Sequence, residues 1–226
     1  MNSFFITGTD TDVGKTYVTA GIAAALKKQG KDVGIMKPFA AGTPQNTGYK
    51  SEDVQILSKA AQVNDPEKLV NPYFFLIPAS PFTAAKNFGI KIDIKMVLSC
   101  FKQLSSLHEI LLVEGIGGAM TPILQNYFVT NLIKDMNLET IIVTSSKIGT
   151  VNHTLMTCKI CQYYKIKIRG IIINNLNLNG YSMDVLTRDL EELTKIEVIG
   201  SIPYFEKFNL EQLSKTIINE FDSLFQ

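Results

Sequence analysis

Apolar residues along the chain gather in short unbroken runs, not in the polar–apolar alternation of a half-exposed strand. The runs fall at 4–7 (Phe-Phe-Ile-Thr), 33–36 (Val-Gly-Ile-Met), 110–113 (Ile-Leu-Leu-Val), 140–143 (Thr-Ile-Ile-Val), 170–173 (Gly-Ile-Ile-Ile) and 198–199 (Val-Ile). Continuous hydrophobicity predicts strands covered on both faces, the habit of a parallel sheet. Between the runs the period changes. Val18, Ile22 and Leu26 recur at helical spacing before a Gln29-Gly30 stop, and Val97, Phe101 and Leu104 make a second stripe. A helix is expected from near Ser51, and others over about 126–136, 150–164, 180–195 and 209–225. The alternation predicts the α/β class: a doubly wound, mainly parallel central sheet flanked by helices. The stretch 40–49, with Gly42, Pro44 and Gly48, reads as a flexible loop, and the Pro-bearing stretch 71–81 is expected to wrap over the sheet edge. Loops beyond strand C-termini hold ligands in such sheets, so both carry functional weight.

Length and composition narrow the class. The 226 residues suit a single α/β domain spanning 1–226. Lysine plus arginine (22) nearly balance aspartate plus glutamate (21), so a net charge of +1 supplies no broad field for nucleic acid or anionic lipid. Neither partner is expected. The opening Met-Asn-Ser-Phe-Phe-Ile lacks the basic and apolar regions of a signal peptide, and no apolar run approaches the ~18 residues of a membrane span, so a cytoplasmic location is expected. Cys158 and Cys161 form a C-x-x-C inside a helical pattern with no second ligand pair nearby, and with Cys100 they read as small buried hydrophobes.

The chemistry begins where the first strand runs into Gly8-Thr9-Asp10-Thr11-Asp12-Val13-Gly14-Lys15-Thr16 and then a helix. Strand, glycine loop and helix are the context of a phosphate-binding loop. Glycines let successive N–H groups turn toward phosphate oxygens, the helix N-terminus adds partial positive charge, Lys15 can neutralise the β- and γ-phosphates, and the Thr16 hydroxyl can ligate Mg²⁺. Five residues separate the two glycines, one more than usual. Asp10 is suited to holding the turn, whereas Asp12 could face the metal. A hard cation needs further oxygen ligands. Glu114 closes the third apolar run and precedes Gly115-Ile116-Gly117-Gly118; Asp53 opens a helix, where it also reads as a carboxylate favouring the dipole. Lys37 closes the second run beside the loop, or is a solvated strand end. The segment from Ser146 to His153 starts a helix whose free N–H groups could bind a carboxylate.

Together the extended loop, Lys37-Pro38, Val113-Glu114-Gly115-Ile116-Gly117-Gly118, the 147–153 segment and Gly200-Ser201-Ile202-Pro203 closely resemble the dethiobiotin synthetase family of the P-loop NTPase superfamily, over nearly the whole chain. The resemblance implies ATP-dependent closure of a cyclic urea from 7,8-diaminopelargonate and CO2 in biotin synthesis, through a carbamate and a carbamic-phosphoric anhydride. It implies Mg²⁺ held by Thr16, Asp53 and Glu114, and catalytic roles for Lys37, Lys15 and Thr11. The implied ATP contacts are Asp12, Val13, Gly14, Lys15, Thr16 and Tyr17, then Asp53, then Glu114, Gly115, Ile116 and Gly117, and around the base Asn174, Asn175, Pro203, Tyr204 and Phe205. The implied substrate contacts are Thr11, Lys37 and Ala41, with Gly149, Thr150, Val151 and Asn152 reaching in from the partner subunit of a homodimer.

Three positions depart from the family pattern: Ala41 stands where it usually has Ser, Ile116 where it usually has Ala, and Asp12 where Glu is commoner. None removes a charged group from the implied chemistry. A rival resemblance is to MinD/ParA-like ATPases, which act as nucleotide switches. Those carry a lysine near the start of the phosphate loop, which Gly8-Thr9-Asp10-Thr11 lacks. Their membrane-directed members end in a basic amphipathic helix, whereas the last stretch here sets Glu211, Glu220 and Asp222 against Lys215. A cobyrinate amidotransferase-like synthetase would need a glutaminase domain for which the chain is too short.

Overall fold

The structure, a computed structural model, describes residues 3–176 and 178–221. In chain order the elements are β1 (Phe4–Gly8), α1 (Lys15–Lys28), β2 (Val33–Met36), β3 (Phe39–Ala41), α2 (Glu52–Ala61), α3 (Glu67–Val70), β4 (Tyr73–Phe75), α4 (Pro81–Phe88) and α5 (Ile94–Leu107). There follow β5 (Ile110–Gly118), β6 (Pro122–Leu124), β7 (Tyr127–Phe128), α6 (Val129–Met136), β8 (Glu139–Ser145), α7 (Thr150–Tyr163), β9 (Ile168–Asn174), α8 (Met183–Thr194), β10 (Val198–Ile202) and α9 (Leu210–Glu220). The continuous apolar runs become a six-stranded sheet in the order β10-β9-β8-β1-β5-β2, every neighbouring pair parallel. Phe5, Ile6, Ile35, Leu111, Leu112, Ile142 and Ile172 lose all contact with solvent, which explains the missing alternation.

Helices complete both faces. α1 packs on α2 and α9, while α5 packs on α6 and α7 on α8, and the right-handed rule for parallel crossovers assigns the first group to one face and the second to the other. Helix starts are fixed locally: Ser51, Ser80, Asp93 and Asn209 each cap a helix by accepting a backbone N–H. Strand order reverses beside β1, so the loop after β1 opens at the crevice where open α/β sheets take ligands.

Several expected boundaries move. The helix expected from 126 starts at Val129, because Tyr127 and Phe128 pair antiparallel with Leu124 and Pro122. The 71–81 stretch is not a plain wrap, since Tyr73–Phe75 pairs in parallel with Phe39–Ala41, which also turns the first residues of the 40–49 loop into strand. The 110–113 run continues as strand to Gly118, so Glu114 sits within β5 opposite Ile6 instead of closing it. Gly117 makes this extension work: its φ is +59°, and a Cβ there would lie 2.3 Å from the Thr121 hydroxyl that accepts the Gly118 N–H. The helix expected over 180–195 spans Met183–Thr194. Met1, Asn2, Asp222 and the expected helix beyond residue 221 lie outside the described residues.

Candidate active site

The phosphate loop folds as its residue types require. Gly14, the N-cap of α1, has φ +84°, and a Cβ there would come 2.0 Å from the Asn174 amide nitrogen. Glycine is therefore demanded twice, by backbone conformation and by the approach of β9. Asn174 is buried and its Nδ2 donates to the Val13 carbonyl at 3.1 Å, pinning the loop to the end of β9. Asp10 holds the turn by accepting the Thr11 N–H at 2.7 Å. Thr11 and Asp12 are exposed at the loop tip; Asp12 has φ +58° and makes none of the hydrogen bonds of the carboxylate cluster below. Val13 is buried, Tyr17 projects outward and stacks on Phe208 with ring centroids 4.4 Å apart.

Beneath the loop lies a charged cluster in which Lys37 and Glu114 are buried while the Asp53 side chain stays 41% exposed. The Lys37 Nζ donates to Glu114 Oε1 at 2.5 Å and to Asp53 Oδ2 at 2.6 Å. The Thr16 hydroxyl lies 2.8 Å from Glu114 Oε1 and 3.0 Å from Asp53 Oδ1. Residues far apart in sequence thus meet at one point: the start of α1, the end of β2, the first turn of α2 and the middle of β5. Asn71 steadies the end of β2 by donating to the Lys37 carbonyl at 2.6 Å.

Electrostatics follow from this packing. Burial opposes the charge on Lys37, but Glu114 and Asp53, by charge and hydrogen bond, outweigh it and hold its pKa above the ordinary lysine value. Burial also works against ionised Asp53, yet the Lys37 ammonium and the Thr16 hydroxyl hold its carboxyl below the usual range. Lys15 has no such carboxylate in contact. Its Nζ turns back to the Asp10 carbonyl at 2.9 Å, and burial, reinforced by the like charge of Lys37, pushes it down to about 8 against the pull of Glu114, Asp53 and Asp10. Two ammonium groups therefore lie close enough to repel, and only Lys37 has carboxylates in contact.

Glu114 Oε2 is buried and without a hydrogen-bond partner among the described residues. An orphaned carboxylate oxygen beside a second carboxylate and a hydroxyl is a donor set of hard oxygens suited to Mg²⁺. No group of three or more His, Cys, Asp or Glu that could hold a metal occurs among the described residues.

The other expected residues lie on the rim at the same sheet edge. Ala41 is half-buried at the end of β3; Gly115 is buried and Ile116 half-buried in β5. Asn175 follows β9 and accepts from the Ser146 hydroxyl at 2.7 Å. Pro203, Tyr204 and Phe205 follow β10, the first two exposed. Gly149 is the N-cap of α7 with φ +93°; Thr150 is buried, Val151 half-buried and Asn152 exposed.

The comparisons with known proteins fit this geometry. A family model described as an AAA domain matches residues 2–212. The ATP-dependent dethiobiotin synthetase BioD of Nitrosopumilus maritimus is 59% identical over 98% of this chain and 97% of its own length. Proteins of the same name from Thermodesulfovibrio yellowstonii and Bacillus velezensis are 37% and 34% identical, each over at least 97% of this chain and 95% of their own. This chain belongs to the dethiobiotin synthetase family. Among solved structures, MinD from Aquifex aeolicus (TM-score 0.57, 17% identity, 99% of this chain and 95% of that one) and a ParA family ATPase from Chlorobium tepidum (TM-score 0.54, 16% identity, 100% and 92%) share its fold. Those likenesses concern the fold alone, so the rival switch reading gains no activity from them, while membership of the synthetase family accounts for the full length.

Sequence reasoning passed over Thr9, Thr144, Thr154 and Phe208. The first three form a hydroxyl cluster, buried at Thr144 and Thr154 and half-buried at Thr9, and the signal for it was the unusually polar Thr-Ser-Ser at the end of β8. Phe208 carried no signal, because its contact with Tyr17 spans almost the whole chain.

Proposed function

We propose that the chain is an ATP-dependent dethiobiotin synthetase that joins 7,8-diaminopelargonate and CO2, closes the ureido ring and releases ADP and phosphate. The observation that carries the assignment is the full-length identity to a synthetase combined with one buried contact set, Lys37 held between Glu114 and Asp53 beneath the phosphate loop. In this reading one substrate amine becomes a carbamate whose oxygen attacks the γ-phosphorus, and the second amine then closes the ring and expels phosphate.

The residues suit that task physically. Two anions must approach each other, so the reaction depends on positive charge fixed in advance. Lys37 keeps its proton because two carboxylates hold it, and it meets the carbamate together with Thr11. Lys15, freer and less neutralised, turns from the Asp10 carbonyl to the β- and γ-phosphates. Thr16, Asp53 and Glu114 would hold Mg²⁺, which supplies additional screening of the phosphates. Loop residues 12–17 and 114–117 line the triphosphate. Asn174, oriented by its bond to Val13, offers its remaining amide oxygen to the adenine amino group, with Asn175, Pro203, Tyr204 and Phe205 around the base.

The substrate carboxylate is taken by the helix start at Gly149, Thr150, Val151 and Asn152, contributed across a homodimer, with Ala41 on the near side. Ile148, 88% exposed beside that start, supports a partner surface there. Among the described residues no helix is long and apolar enough to cross a membrane. Phosphate release from ATP and bicarbonate, measured with and without 7,8-diaminopelargonate, tests the assignment. Turnover should depend on the diamine; turnover indifferent to it would favour a nucleotide switch.

A further inference from the structure

At the end of β8 the protein buries a group of hydroxyls. Thr144 and Thr154 are fully buried and Thr150 nearly so. The Thr144 hydroxyl lies 3.2 Å from that of Thr9 in the phosphate loop, 2.6 Å from that of Thr150 and 2.8 Å from that of Thr154 in the first turns of α7. One proton to donate and two lone pairs to accept with mean that three such neighbours saturate it. The backbone repeats the tie, since the Thr9 N–H donates to the Val143 carbonyl at 2.9 Å. On the far side the Ser146 hydroxyl donates to Asn175 at 2.7 Å, fastening the lead-in of α7 to the end of β9.

Apolar side chains could fill this space without risk, whereas each buried hydroxyl must keep its partner or lose the full desolvation cost. Inside a low-dielectric network a shift of one member disturbs every other, so the cluster has few arrangements open to it. The α7 start that it roots is otherwise open: a Cβ on Gly149 would meet nothing within 4 Å.

We propose that Thr144 is a positioning residue. Through Thr9, Thr144 and the pair Thr150 and Thr154, the state of the phosphate loop sets the first turn of α7, so nucleotide and carboxylate-bearing substrate bind with positive linkage. This rests on the reading above that the α7 start takes the substrate carboxylate. On the homodimer in that reading, the linkage runs from the nucleotide of one copy to the diamine held at the site of the other. Linkage is reciprocal, so the diamine tightens nucleotide by the same factor.

The test compares wild type with Thr144→Val, which keeps shape and removes the hydroxyl, and Thr144→Ser, which keeps it. Thr9→Val cuts the same chain at a half-buried loop position and guards against a folding defect at β8. Backbone amide exchange over residues 150–156 is followed with Mg²⁺ and a non-hydrolysable ATP analogue, and the diamine KM is measured alongside. The analogue is expected to slow exchange there about fivefold or more in wild type and Thr144→Ser, and to lose that effect in both valine variants. The diamine KM should rise by about the same factor in both valine variants, and the ATP KM at saturating diamine should rise with it, whereas nucleotide affinity of Thr144→Val without diamine stays near wild type. Equal slowing in the valine variants, or a serine variant no better than valine, overturns the linkage. Exchange that responds to nucleotide in an enzyme indifferent to the diamine would sink the substrate reading and leave the linkage standing.

Discussion

Ionisable side chains cluster at both ends of the central sheet, yet the two ends are built differently. At the C-terminal edge Lys37, Asp53, Glu114 and Thr16 converge, and one Glu114 oxygen is left without a partner. At the N-terminal edge His108, at the end of α5, lies with Nδ1 3.1 Å from Asp32 and Nε2 3.0 Å from Asp65, joining three connections of the fold. Asp32 is further engaged by the Glu109 N–H. Here both ring nitrogens face carboxylates, and neither the ring nor those carboxylates leave a buried polar atom without a partner. Clustering ionisable groups therefore does not mark a site. What distinguishes the C-terminal edge is unused bonding capacity kept dry, which costs stability unless a ligand repays it.

The sharpest way to break this contrast is to remove cations from the C-terminal edge. Lys37→Ala should abolish product formation and, by leaving Glu114 buried without its counter-ion, lower folding stability by about 3–5 kcal/mol in metal-free denaturant titration. Lys15→Ala should also abolish product formation but lose nucleotide affinity, which Lys37→Ala largely keeps. Equal loss of ATP binding in both would remove the separate roles.

Glu114→Gln probes the unused oxygen itself. Calorimetry should find Mg²⁺-ATP weakened on the order of 10–100-fold, with metal-free ATP much less affected. A similar loss with and without chelator would mean that the orphaned oxygen serves no metal.

His108→Ala addresses the saturated end. It should cost about 1–3 kcal/mol of stability in thermal or denaturant melts and leave the diamine and ATP KM values unchanged below the melt. An altered KM would bring that edge into the catalytic cycle and erase the distinction. The smallest effect is expected from Ala41→Ser, which restores a hydroxyl at the rim; one added hydrogen bond of about 1 kcal/mol should lower the diamine KM roughly fivefold.

Much of the C-terminal edge was legible beforehand because its signals are local. A strand, two glycines and Lys-Thr at fixed offsets announce a phosphate loop, and the structure supplies the strand, the left-handed Gly14 and the buried Lys15 that this pattern requires. Asp53 and Lys37 were ambiguous from spacing, since a helix-start carboxylate and a strand-end lysine are both ordinary. The ion pair at 2.6 Å brings the two side chains together, and only the crossover that lays α2 beside the end of β2 could form it. The His108 clasp left no trace in the sequence, because Asp32, Asp65 and His108 are scattered polar residues until three loops meet. Short strands failed for the same reason: Tyr127–Phe128 and Tyr73–Phe75 are strands by virtue of their partners, not their composition.

The sequence by itself determined the α/β class, the phosphate loop and the residue types of the chemistry, because hydrophobic period and turn composition act between near neighbours. Tertiary structure alone decided which carboxylates face Lys37, which glutamate oxygen stays unpartnered and which threonines join the loop to α7. Those facts depend on contacts between residues as far as 77 and 135 positions apart, and only a sheet ordered β10-β9-β8-β1-β5-β2 closes them.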